Sequence, residues 1–137
     1  MKVFFYGLFM DTELLASKGI KAVDPEPGYA DGFALRIGER ATLVRQQGSR
    51  AWGVLMEIAP DDVTGLYAEQ SVVDYRPETL NVNLMDGRRI EATCYNLPPD
   101  RVTGTNRHYA ELLLAVAIDL GFPDDYLGQI RQAATEP

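Results

Sequence analysis

The chain has 137 residues, of which 46% are hydrophobic and 24% charged, the composition of one ordinary globular domain over residues 1–137. Its net charge of −7, with no basic cluster beyond the pair Arg88-Arg89, excludes a phosphate-neutralising face and so a nucleic-acid partner. A single cysteine, Cys94, excludes an internal disulfide, and one histidine beside one cysteine makes no zinc site.

The acidic residues are not grouped at calcium-loop spacing, so no metal and no cofactor are expected. No apolar run approaches the roughly 18 residues of a membrane span. The apolar stretch after Met1-Lys2 is too short for a signal-peptide core. The expectation is a cytoplasmic protein with no membrane partner.

Val3 to Tyr6 is an apolar, β-branched and aromatic run, a buried strand that Gly7 breaks. Asp11 suits the N-cap of a short helix from Thr12 to Lys18, stopped at Gly19. Asp24 to Gly28, with Pro25 and Pro27, reads as a loop, and Phe33, Leu35 and Ile37 alternate as a half-buried strand. Trp52, Val54, Met56 and Ile58 alternate in the same way. Pro60, Asp61 and Asp62 then open a helix expected to reach Ala68, since proline fits the first turn and carboxylates favour the positive end of the helix dipole.

Leu80, Val82 and Leu84 form a strand, Asp86-Gly87 a hairpin turn, and Ile90, Ala92 and Cys94 the returning strand. Tyr109, Leu112, Leu113, Val116, Ala117 and Leu120 recur at helical spacing. Leu114 and Ile118 occupy the remaining face, which predicts a well-buried helix. Pro123 to Ala133 reads as a final helix. Strands in hairpins come first and the main helices last, an α+β pattern. It fits a small mixed, mostly antiparallel β-barrel with flanking helices.

Four features could carry chemistry. The junction Phe5-Tyr6-Gly7-Leu8-Phe9-Met10 places a glycine after a strand and before a helix start, where backbone N–H groups can face an anion; Asp11 competes for those donors. Glu69-Gln70 ends a short helix, and a partly buried carboxylate there can move protons near neutrality. His108 is the only histidine, but no Ser-His-Asp or Cys-His order surrounds it. Tyr75-Arg76 opens a strand where a tyrosine could line a pocket. Cys94 lies on an apolar strand face and reads as a structural thiol.

The order of these features resembles the gamma-glutamylcyclotransferase-like superfamily. The resemblance rests on the opening strand and turn Val3-Phe4-Phe5-Tyr6-Gly7 and on the strand Ala51-Trp52-Gly53-Val54-Leu55-Met56-Glu57-Ile58. It continues in Leu66-Tyr67-Ala68-Glu69-Gln70-Ser71-Val72 followed by Tyr75, and in Tyr109 with Gly121-Phe122-Pro123-Asp124-Asp125-Tyr126 and Ile130. It covers nearly the whole chain. It implies a barrel of five or six strands with helices around it. It also implies a small-molecule pocket lined by Tyr6, Gly7, Leu8, Phe9 and Tyr75.

The implied chemistry is an intramolecular acyl transfer that releases 5-oxoproline from a gamma-glutamyl amide or related small amide, without metal or cofactor. The catalytic carboxylate falls at Glu69, or at Gln70 when the segment is counted without a gap. A glutamine there cannot shuttle a proton, and the protein would then be a non-catalytic small-molecule-binding or regulatory member of the same fold. The family turn Tyr-Gly-Ser-Asn reads Tyr6-Gly7-Leu8-Phe9 here, which keeps backbone donors and alters substrate choice. An interaction module built on Leu8-Phe9 is a third reading.

Overall fold

The computed structural model describes residues 1–135, without the side chains of residues 99, 134 and 135. The strands are β1 (Lys2–Phe5), β2 (Val23–Ile37), β3 (Ala41–Glu57), β4 (Arg76–Leu84) and β5 (Arg89–Asn96). The helices are α1 (Thr12–Ser17), α2 (Pro60–Leu66), α3 (Arg107–Asp119) and α4 (Asp124–Thr135). The strands close into a barrel in the order β1-β3-β2-β4-β5. Every pairing is antiparallel except β1 with β5, whose register sets Val3 against Thr93.

Alternation along the strands sorts the apolar residues into two cores. Phe4, Tyr6, Leu43, Leu55, Leu80, Val82, Leu84 and Cys94 belong to one buried cluster, which fills the barrel. Their neighbours Val3, Phe5, Trp52, Val54 and Met56 point outward and bury the inner faces of the helices. Trp52 packs on Tyr29 and Phe122, with ring centroids 5.0 and 5.7 Å away. The following Gly53 admits Phe4 to the barrel interior: a Cβ there would come within 2.6 Å of the Phe4 ring and 2.3 Å of the Phe5 carbonyl oxygen.

Three expectations need correction. Asp24 to Gly28 is not a loop but the first part of β2. The prolines are tolerated there because β4 pairs with β2 only at Gly28 and Tyr29, which leaves this stretch as an edge. A register shift between Val23 and Glu26, with Asp24 at φ 49°, absorbs the irregularity. β3 begins at Ala41, far upstream of Trp52, because residues 41–45 pair with residues 33–37 of β2; residues 46–49 then bulge out opposite Gly32 before pairing resumes at Arg50. The helix α3 is not well buried: Ala110, Leu113 and Ala117 face inward, while Leu112 and Ile118 are exposed.

Candidate functional site

At one end of the barrel β1, β2 and β5 finish while β3 and β4 begin. The chain leaves β1 through Tyr6-Gly7 and enters a 3-10 turn at Leu8–Met10. A cavity of about 380 Å³ opens at this end. Its wall includes Tyr6, Gly7, Leu8 and Phe9 from the turn, Tyr75 before β4, and Glu69 from the segment after α2. The substrate-contacting residues expected from the sequence therefore surround one cavity, and Glu69 shares it with them. Gln70 is exposed and lies outside the lining, as does exposed His108.

The turn that lines the cavity leaves some of its backbone donors unengaged. Met10 N–H is taken by the Gly7 carbonyl and Asp11 N–H by that of Leu8. Leu8 N–H reaches Tyr109 Oη at 3.4 Å, a long contact. Among the described residues, no protein acceptor holds the N–H groups of Gly7 or Phe9. Asp11 does not compete with a ligand for them, because its carboxylate accepts from Glu13 N–H as the N-cap of α1. Gly7 is required by close approach, since its φ of −107° is open to any residue. A Cβ there would stand 2.5 Å from Tyr109 Oη.

The remaining wall is aromatic. Tyr67 stacks on Tyr95 at 4.0 Å, and Phe9 meets Tyr67 edge-on at 6.1 Å. Tyr6 Oη donates to the Tyr95 carbonyl at 2.7 Å, and Tyr75 Oη donates to the Ala41 carbonyl. Burial pushes all the lining phenols up, Tyr109 to about 12, so they stay neutral hydroxyls near neutrality.

Charge enters the cavity through three side chains, Glu69, Lys18 and Arg40. Lys18 Nζ lies 2.9 and 3.0 Å from the two Glu69 carboxylate oxygens. Arg40 is held by Asp74 Oδ2 at 3.3 Å and the Ser71 carbonyl at 3.4 Å, with its guanidinium 5.8 Å from the Tyr75 ring centroid. The β2–β3 tip carrying Arg40 is tied to the segment before α3, where Glu39 N–H donates to the Thr103 carbonyl and Asn106 Nδ2 to the Glu39 carbonyl.

Sequence reasoning did not single out Lys18, Arg40, Tyr67 or Tyr109 as lining residues. Tyr109 repeats with the apolar face of α3, so it carries the pattern of a core residue. Lys18 and Arg40 are lone cations whose local sequence holds no signal of a pocket. Cys94 is fully buried, with Sγ 3.6 Å from Asn96 Oδ1, and burial pushes its thiol up. It stands in the barrel core as a structural residue.

A family profile described as "AIG2-like family" matches residues 50–130. Among solved structures, the chain is similar to one titled "Gamma-glutamyl cyclotransferase", with a TM-score of 0.77 and 19% identity, covering 100% of this chain and 88% of the other. An uncharacterized protein from Homo sapiens gives a TM-score of 0.78 and 19% identity over 99% of this chain and 88% of its own. YkqA from Bacillus subtilis gives 0.80 and 19% over 99% of this chain, which spans only 54% of YkqA. No curated protein sequence matches the chain.

Proposed function

This chain belongs to the AIG2-like family and has the gamma-glutamylcyclotransferase fold, and from that premise we propose that it cyclises gamma-glutamyl amides to 5-oxoproline. The observation that carries the proposal is one cavity lined both by a carboxylate, Glu69, and by a turn in which the N–H groups of Gly7 and Phe9 have no protein acceptor among the described residues. In this reading the substrate's α-amine attacks its own γ-carbonyl carbon. Both reacting groups belong to one molecule, so the cavity has chiefly to enforce the folded conformer.

Glu69 takes a proton from the attacking nitrogen and delivers one to the leaving nitrogen as the amide C–N bond breaks. The turn amides stabilise the oxyanion that develops on the carbonyl oxygen. The products are 5-oxoproline and the free amine. Leu8, Phe9, Leu14 and Val72 on the cavity wall favour a leaving amine with an apolar body. The same reading makes the partner a small molecule and the setting the cytoplasm. It is tested by incubating the protein with a panel of gamma-glutamyl alkyl- and arylamides and following 5-oxoproline by mass spectrometry. Release above the uncatalysed rate supports it; a panel left intact counts against it.

A further inference from the structure

The pairing of charges on the cavity wall suggests how the substrate's head group is read. Lys18 is the C-cap residue of α1 and Glu69 follows α2, so two separate elements supply the pair. Among the described residues, Glu69 is the only hydrogen-bonding or ion-pair partner of the Lys18 ammonium. Arg40, the other cation of the lining, is paired with Asp74 and the Ser71 carbonyl rather than with Glu69. The phenols of the wall are neutral, and of the two cations Lys18 is the one that holds the carboxylate proposed as the proton carrier.

The Lys18–Glu69 pair is partly exposed, with side chains 30% and 40% accessible. Pairs so placed add little to stability, and opening this one costs little. Lys18 swings on a flexible four-carbon stem. A γ-glutamyl group presents an α-ammonium and an α-carboxylate on one carbon. Inserted between the two side chains, it turns one ion pair into two: ammonium to Glu69, carboxylate to Lys18.

On the premise of the proposed reaction, we propose that Lys18 is the specificity residue that recognises the α-carboxylate of the γ-glutamyl head and, by leaving Glu69, frees that carboxylate for the substrate's amine. The chemical class follows: amides that carry a free α-amino acid head, and not their esters or decarboxylated analogues.

The product isolates the carboxylate from the reaction. 5-Oxoproline and 2-pyrrolidinone share a lactam ring and differ in the carboxylate. Calorimetry on the wild-type protein is expected to show 5-oxoproline binding about 10- to 100-fold more tightly, the usual worth of a charged hydrogen bond. Lys18→Met should abolish the preference, and Lys18→Arg should retain most of it. A preference that survives Lys18→Met, or its absence from the wild type, overturns the assignment. Turnover of γ-glutamyl amides is scored separately. Lys18-dependent binding without turnover sinks the proposed reaction and leaves the carboxylate site; turnover with Lys18-independent binding does the reverse.

Discussion

The contact between Gly7 and Tyr109 can be tested by adding and then removing one atom at a time. Gly7→Ala places a Cβ 2.5 Å from Tyr109 Oη, well inside van der Waals contact. The backbone at Gly7 is extended, so the substitution adds no dihedral strain and the whole penalty is steric. Overpacking of this kind costs about 1–3 kcal/mol, or about 3–5 °C in Tm per kcal/mol for a domain of this size. Tyr109→Phe removes the clashing atom, and the nearest remaining atom is then Cζ at 3.9 Å, an ordinary contact. The hydroxyl itself accepts only a 3.4 Å bond from Leu8, so Tyr109→Phe alone should cost less than about 1 kcal/mol. Urea denaturation of the wild type, both single variants and the double variant gives the coupling between the two positions. The double variant is expected to recover most of the Gly7→Ala loss, about 1–2 kcal/mol. Strictly additive losses would refute the contact as the reason position 7 is a glycine.

Three further outcomes follow from the buried groups. Cys94 should resist alkylation in the native protein through pH 9 and react quickly once it is unfolded, and Cys94→Ala should leave turnover intact. Burial lets Tyr109 keep its proton when folded to about 12, against the ordinary phenol value of 10.0; the unfolded chain ionises first, so stability falls as pH rises from 10 to 12, and unfolding of Tyr109→Phe should show a shallower alkaline slope. Thr42 is fully buried and its Oγ1 accepts from Leu97 N–H at 2.9 Å; Thr42→Val keeps the shape, strands that donor and should cost about 1–3 kcal/mol in urea unfolding.

The parts of this fold that the sequence discloses are those with local causes. The β4–β5 hairpin is legible because Asp86-Gly87 demands a turn: Gly87 has φ 92° and Asp86 Oδ1 accepts from Arg88 N–H at 3.0 Å. The N-cap at Asp11 is legible for the same reason. Pro25 and Pro27 misled because their tolerance depends on where β4 starts to pair, a fact of the assembled barrel. Leu112 and Ile118 misled because periodicity gives the faces of a helix but not how many of them find a neighbour.

The cavity divides in the same way. Tyr6, Gly7 and Glu69 are marked by their positions at element ends. Lys18 and Arg40 reach the site from the end of α1 and from the β2–β3 tip, and only the barrel's closure brings them there. The choice between Glu69 and Gln70 turns on where the chain points after α2. Tyr67 N–H still bonds the Val63 carbonyl, while Ala68 N–H bonds that of Gly65. The helix tightens there, which leaves Glu69 on the cavity wall and Gln70 exposed.

The central claim is that Glu69 is the proton carrier of a cyclotransferase, and the rate of 5-oxoproline release by Glu69→Gln against wild type tests it most directly. The substitution preserves the shape, and the partly exposed pair with Lys18 is worth about 1 kcal/mol or less to stability, so the variant should remain folded. The account predicts a fall in turnover of about two to four powers of ten, the usual worth of a general acid–base group, with Gln70→Ala within a few-fold of wild type. Full turnover in Glu69→Gln, with the loss appearing in Gln70→Ala instead, would contradict it.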